Sequence, residues 1–491
     1  MPVTGNYPVT PNRTQCRALR GENVQIEDLE SCITGAQCVP DARRTIGSAL
    51  GDSGKRLVVV DDDPTGTQTV HGVDVCMDWS VDSLFQALKD PKPVVFVSTN
   101  SRSLESSEAA HLNADLGRRL AQASVELGIG LLIASRSDST LRGHYPVEVD
   151  ALAAGLDIGF DGVLICPAFF EAGRYTIHDT QWVVQGDRVV SAETTEFARD
   201  PVFGYKHGNL KQWVEEKTAG IWPAARVLSV SIEDIREGGP DRISGLLSAC
   251  YDGQPVIVNA ACYHDLDTFV LGLIDAEGKG KRFIYRCSAS FVKSRGGFED
   301  RSLLTARELG SGSGPGLVVV GSYVDKTSRQ LDALTRAGLV QGVEVSVDAL
   351  LDDRNAETEV RRAAERVDRT LREGASAALF TSRSRHDSQG SEFLEVGRRI
   401  MTGLCRVVER VGVRPGFIIA KGGITSIEVA RRALRVKRGY VLGQILPGVP
   451  VWRLGEEALF GGVPYVVFPG NVGDDQSLAQ AVSILNGGNL A

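Results

Sequence analysis

The feature that most constrains this chain is a recurring one. A short apolar run stops abruptly at a polar or glycine-rich turn, and a helical stretch follows. The runs lie at 56–60 (RLVVV), 93–98 (PVVFVS), 130–134 (GLLIA) and 162–166 (GVLIC). A strand that is apolar along its whole length is buried on both faces. Strands of that kind alternating with helices build a parallel sheet covered on both sides. Further runs follow at 226–230, 255–259 and 283–287, then at 317–320, 377–381, 416–420 and 463–468. The predicted class is therefore α/β, with two domains, each built on a mainly parallel sheet flanked by helices.

At 491 residues the chain exceeds what one hydrophobic core supports. The segment SGSGPG at 311–316 is the best linker candidate. The expected layout is an N-terminal extension over 1–54, one α/β domain over 55–310 and a second over 316–487. The extension reads as a loose tail with one helix around 39–50. In the first domain a helix running to about residue 127 is expected to be capped by Ser103 or Ser106.

The formal net charge is −8, which argues against nucleic acid or an anionic membrane as partner and leaves room for a small anionic ligand held by a few arginines. No run of 18 apolar residues predicts a membrane span, and the first residues lack the apolar stretch of a secretory signal, so a cytoplasmic protein is expected. Nine scattered cysteines without a CxxC pair read as buried or free thiols in a reducing compartment. Oligomeric state is not legible, and a homo-oligomer stays open.

In parallel α/β sheets ligands bind beyond the carboxyl ends of the strands, so the turns after the runs matter most. The first is DDDPTGTQT at 61–69. Three adjacent carboxylates repel unless they meet a metal, an arginine or donor hydroxyls; the plainer alternative is an acidic cap or turn. Asp61, Asp63 and Thr65 also spell DxDxT, the nucleophile motif of haloacid dehalogenase-like phosphatases. In that reading Asp61 attacks phosphate, Asp63 is acid/base, Ser98 or Thr99 supplies the second motif, and Asp474 with Asp475 the acidic fourth.

The next turn, TNSRSL at 99–104, puts Arg102 at a strand end near a helix start, a place suited to an anion; an ordinary surface arginine is the alternative. The third, at 135–152, packs Arg136, Ser137, Asp138, Ser139, Thr140 and Arg142 into one turn. Guanidinium groups among hydroxyls suit a carboxylate carried on a polyol, and Asp138 is placed to accept a proton from a hydroxyl. A charged loop closing on itself would look the same. His144 lies in this segment and is the imidazole expected to touch ligand. Residues 167–176 add Gly173 and Arg174 after the fourth run.

In the second half the turns become glycine-rich: Gly321 with Ser322, KGGITS at 421–426, and PGN at 469–471. Small residues let backbone N–H groups approach phosphate. None matches a P-loop or a dinucleotide fingerprint. Each alone is a common turn, but three in one domain, all after strands, point to a nucleotide site.

Taken in order, DDDPTGT, TNSR, SDSTLRG, PAFFEAGR, VGS, KGGITS and PGNVGDD resemble the four-carbon acid sugar kinase family, over roughly residues 56 to 485. The resemblance implies a sugar-acid-binding domain followed by a nucleotide-binding domain, with ATP and Mg²⁺ as cofactors. It implies phosphorylation of a 3-oxo-tetronate, threonate or erythronate at its terminal hydroxyl. The acid would meet Asp61, Asp62, Arg102, Arg136, Ser137, Asp138, Ser139, Thr140 and Arg142, with Asp62 or Asp138 as catalytic base. ATP would meet Ser322, Gly422, Gly423, Ile424, Thr425 and Gly470. No metal ligand is assigned. Two positions depart from the family pattern: Ile424 stands where many members carry an acidic residue, and Val324 where many carry a hydroxyl. A sugar-acid-binding protein without catalysis is therefore a further alternative.

Overall fold

The computed structural model describes residues 24–36, 38–63, 65–310, 314–321, 325–382, 391–470 and 472–488. Part of the predicted linker, 311–313, lies outside them, as do Ser322 and Val324. The chain forms two compact units that are not contiguous in sequence. The first comprises the described residues up to Asp62, Leu88–Val95 and Ser101–Glu299; the second comprises Asp63–Ala87, Phe96–Asn100 and the chain from Asp300 onwards.

In the first unit the parallel sheet runs in the order Leu228–Val230, Gln254–Val258, Gly162–Cys166, Phe283–Cys287, Gly130–Arg136, Lys55–Asp61. The next strand starts at Val94, where Pro93 O accepts the Leu57 N–H at 2.8 Å. Leu57, Val58, Val59, Ile133, Leu164, Ile165, Val256, Ile257 and Ile284 are at most 1 % exposed. That is why these runs carry no polar alternation: neither face meets water. The helix Ser106–Leu127 differs from expectation at its start. Ser106 is already helical, and Glu105 is the cap, its N–H donating to Glu108 Oε2 at 3.3 Å.

From Val24 onwards the predicted extension is more ordered than a tail. Two helices, Ile26–Thr34 and Ala42–Asp52, precede the first sheet strand. Leu29 and Cys32 pack with Ile177, Trp182, Val189, Ile232 and Ala261. Arg43 forks onto Asp267 through Nε and Nη2, both at 2.8 Å. This cluster lies on a small antiparallel sheet, in the order Val24–Gln25, Arg188–Ser191, Thr180–Gln185, Arg174–Ile177, which the sequence reading missed. Cys32 corrects the expectation of free thiols, being disulfide-bonded. Cys38, Cys76, Cys166, Cys250, Cys262, Cys287 and Cys405 are free.

The sheet of the second unit is mixed. Pro464–Phe468, Ile418–Lys421, Leu317–Val320, Ala377–Thr381 and Gln341–Val345 are parallel. Asp74–Cys76, Arg438–Leu446 and Val449–Leu454 extend it antiparallel beyond Pro464–Phe468. Its core gathers Val318, Val320, Leu334, Ile419, Val451, Val466, Phe468 and Val482. No described helix is long and apolar enough to cross a membrane.

Candidate functional site

In the first unit the register brings four strand ends level. Asp61 lies opposite Arg136, Arg136 opposite Cys287, and Cys287 opposite Cys166. The turns predicted to carry chemistry leave this rim. Asp61 and Arg136 pair there at 3.2 Å, both almost fully buried. A buried carboxylate and guanidinium hold each other's charge, because neither has water to do so.

Asp62, the next residue, is 4 % exposed. Its N–H donates to Arg136 O at 3.1 Å, and its carbonyl accepts the Arg102 N–H at 3.3 Å. Its carboxylate receives the Arg102 fork, Nε to Oδ2 at 3.1 Å and Nη2 to Oδ1 at 2.5 Å, and the Ser137 hydroxyl at 2.8 Å. This is the planar, bidentate geometry for which arginine is suited.

Asp138 accepts from Arg142 Nε at 2.8 Å and from the Thr140 hydroxyl, and its Oδ1 lies 4.0 Å from Arg102 Nη1. Burial alone would raise its pKa; the Arg102 and Arg142 charges and the hydrogen bonds from Arg142 and Thr140 outweigh burial and hold the carboxyl well below the usual carboxylate range. Asp138 is thus an ionised acceptor. The loop around it is tied down from outside: Ser139 O accepts from Gln181 Nε2 at 2.8 Å, and Thr140 O from the Tyr205 hydroxyl at 2.9 Å. The Arg142 guanidinium lies 4.9 Å from the centre of the Phe197 ring, with Arg174 5.8 Å from the same ring. Gly143, with φ +127°, closes the turn; a Cβ there would stand 2.7 Å from Ser137 Oγ and 3.3 Å from Asp62 Oδ2. Only glycine fits so close to both groups.

The rim therefore gathers Asp61, Asp62, Arg102, Arg136, Ser137, Asp138, Thr140 and Arg142, and Ser139 is buried among them. His144 is buried beside this turn, its ring edge-on to Phe203 at 4.9 Å and its backbone N–H donating to Glu148 Oε2 at 3.3 Å.

Two residues under the rim escaped the sequence reading. Arg286, with 0 % exposure, donates from Nη2 to Ser137 Oγ and to Arg142 O, each at 3.2 Å, and lies 5.3 Å from the centre of the Trp213 ring. It shapes the loop from beneath. Glu148 Oε1 lies 4.0 Å from Arg286 Nε. Burial, then the Asp62 charge, push the Glu148 carboxyl up to about 7, against the pull of Arg286. A signal for Arg286 was present: FIYRC is an apolar strand interrupted by one arginine, and an arginine inside a doubly buried strand must have a polar target.

The second unit repeats the logic with backbone groups. Val320 lies opposite Lys421, and Lys421 opposite Phe468, so the turns at Gly321, Gly422 and Pro469 leave three adjacent strand ends. Gly422 has φ +116° and donates its N–H to Phe468 O at 2.8 Å. The helix Gly423–Glu428 begins immediately after it and runs on into a π-turn, Val429–Ala433. Gly321 packs on this turn, since a Cβ there would stand 2.5 Å from Thr425 Oγ1. Thr327 Oγ1 donates to Gly470 O at 3.4 Å. Gly422, Gly423, Thr425 and Gly470 thus share one edge, and the Ile424 side chain there is 59 % exposed. Ser322 lies outside the described residues.

The remaining acidic residues of the phosphatase reading have partners away from the rim. Asp63 Oδ1 accepts the Thr65 N–H at 2.8 Å. Asp474 Oδ1 accepts from Gln476 N at 3.0 Å and Ser477 Oγ at 2.7 Å, and Asp475 pairs with Arg329 at 2.9 Å. Among the described residues no three His, Cys, Asp or Glu side chains converge as a metal site.

A sugar-binding N-terminal domain family matches residues 57–295, and a nucleotide-binding C-terminal domain family matches residues 317–478. A D-erythronate kinase of Heliobacterium modesticaldum is 26% identical over 455 residues, spanning 87% of this chain and 97% of the relative. A D-threonate kinase of Salmonella typhimurium is 24% identical over 448 residues, with the same coverage. Two solved structures share the fold. One, from Salmonella typhimurium LT2, has a TM-score of 0.65 at 18% identity and covers 87% of this chain and 98% of that one. The other, from Haemophilus influenzae, has a TM-score of 0.61 at 17% identity and covers 87% and 100%. With both domains matched in order, and with relatives aligned over nearly their full length, the chain belongs to the four-carbon acid sugar kinase family.

Proposed function

We propose that this protein uses ATP to phosphorylate a four-carbon sugar acid, of the erythronate, threonate or 3-oxo-tetronate type, at its terminal hydroxyl. The observation that carries the reading is the rim of the first unit, where Arg102 and Arg142 stand beside Asp62, Asp138 and the hydroxyls of Ser137 and Thr140. Guanidinium groups would take the substrate carboxylate, and carboxylates and hydroxyls its polyol chain. Arg136, pinned to Asp61, would brace the floor. Asp62 is assigned to the accepting hydroxyl and its proton. Asp138, held ionised by two arginines, would orient the substrate and act only weakly as a base.

ATP is assigned to the second unit. The positive φ at Gly422 and the close packing of Gly321 on Thr425 suit backbone N–H groups approaching phosphate. Gly423, Thr425 and Gly470 would hold the phosphates, Gly422, whose own N–H is spent on Phe468 O, would shape the turn that presents them, Ile424 would lie against the nucleotide, and Ser322 is assigned to the same site. Mg²⁺ brought in with ATP would supply neutralisation of the phosphate charge, and no side chain is assigned to hold it. Transfer then needs the hydroxyl and γ-phosphate aligned with water excluded.

The test is ADP release measured with ATP and a panel of tetronates and 3-oxo-tetronates. The reading expects ADP only when a matching acid is present. Phosphate release from sugar phosphates without ATP, lost on Asp61→Asn, would instead make the protein a phosphatase. Tight acid binding with no ADP from any panel member would make it a binding protein.

A further inference from the structure

Lys421 ends the Ile418–Lys421 strand, and its side chain is 0 % exposed. A buried ammonium is unfavourable unless its N–H groups are used. Here Nζ donates to Pro469 O at 2.6 Å and to Gly470 O at 3.2 Å, and it lies 4.3 Å from the centre of the Phe468 ring. Both acceptors belong to the glycine turn after Pro464–Phe468. The residue following Lys421 is Gly422, whose N–H is bonded to Phe468 O at 2.8 Å. One lysine therefore spans two of the three turns at this edge: its backbone leads into one, and its side chain holds the other.

The orientation has a consequence. In a planar trans peptide the C=O and the following N–H point in opposite directions. Drawing the Pro469 carbonyl onto Lys421 turns the Gly470 N–H away from the lysine. We propose that Lys421 is a positioning residue for nucleotide binding, clamping the Pro469 and Gly470 carbonyls so that the Gly470 amide is presented with the Gly422 turn to the phosphates of ATP. The inference rests on the assignment of ATP to this unit and adds the residue that sets the shape of its site.

Charge gives the clamp a measurable signature. Burial, then the charge of Lys326 on the helix Asp325–Arg336, bring the Lys421 pKa down to about 7. The other elements against it contribute the 469 and 470 carbonyls, the Phe468 ring and the apolar Leu317–Val320 strand. Near pH 8 the amine is mostly neutral, and arriving phosphates favour its protonated form, so ATP binding takes up a proton.

The experiment is calorimetric titration of the full chain with ATP and Mg²⁺ at pH 8, in two buffers of different ionisation heat. Wild type is expected to bind with net proton uptake. Lys421→Met, checked for an unchanged far-UV spectrum, is expected to bind ATP at least about tenfold more weakly, because two charge-assisted hydrogen bonds are lost. Lys421→Arg keeps donors and charge but does not titrate at this pH. It is expected to bind within about threefold of wild type, without the proton uptake. Equal affinity in wild type and Lys421→Met, or uptake that persists in Lys421→Arg, overturns the clamp while leaving the ATP assignment standing. Failure of the wild type to bind ATP overturns that assignment and the clamp with it.

Discussion

Replacing Glu148 with Gln removes an ionisable group from beneath the rim, keeps its shape, and leaves an oxygen to accept the backbone N–H of His144. The Glu148 carboxyl titrates at about 7 in the fold instead of the usual 4.5, because burial and the neighbouring Asp62 charge outweigh the attraction of Arg286. The sign follows from linkage. Below pH 4.5 the group is protonated in both folded and unfolded chains and costs nothing. Between 4.5 and 7 the unfolded chain ionises first, so stability falls as pH rises, and above 7 the loss is complete. At about 1.4 kcal/mol per pH unit, that climb amounts to about 3 kcal/mol. Denaturant unfolding of both proteins from pH 4.5 to 8 reads this group together with the neighbours coupled to it, because distant titrations cancel in the difference. Glu148→Gln is expected to match wild type at the acid end and to exceed it by about 3 kcal/mol at pH 8. A difference that stays flat across the range, or a wild type that is the more stable at pH 8, would refute the reasoning.

Other outcomes follow from the same rim. Asp62→Asn should lower turnover by about a hundredfold or more, while ATP affinity, set in the other unit, changes by less than about twofold; near-normal turnover would remove Asp62 from the chemistry. Arg102→Ala should raise KM for the acid by about 10- to 100-fold, the value of a charge-assisted contact, with KM for ATP unaltered. An unchanged KM for the acid would place the carboxylate elsewhere. Gly143→Ala should cut kcat/KM by about tenfold or more through displacement of Ser137 and Asp62, read against an unfolding midpoint that moves by only a few degrees.

How much of this was legible depended on burial. Strands enclosed on both faces, such as Lys55–Asp61 and Gly162–Cys166, are continuous apolar runs and stand out from the sequence. Strands partly open to water do not. Arg438–Leu446 alternates buried with more exposed positions along most of its length, and Gln341–Val345 carries exposed Gln341 and Glu344. Both patterns were present in the sequence but were diluted by polar and glycine residues. The same contrast holds at the site. Asp62, Arg102 and the 136–142 turn are polar clusters placed directly after apolar strands, and clusters are conspicuous. Arg286 is the one charge in its strand and Glu148 one of two in its helix, and only the packing of those two elements reveals that they meet. The Glu105 cap was missed because serine is the commoner cap, and two serines stood on either side of it.

The strand Asp74–Cys76 pairs with Arg438–Leu446 inside the second unit, although the two are made far apart in time. At ribosomal rates the later strand emerges roughly 20 to 70 s after the earlier one. For that interval one edge of the early strand stays bare, its other edge facing Val94–Ser98, while much of the first unit can already fold. Nascent chains of this protein are thus expected to mature in an overlapping order, with the first-made piece of the second unit held in waiting. A truncated polypeptide beginning near residue 300 would lack that strand and leave the Arg438–Leu446 backbone open to pairing with other molecules.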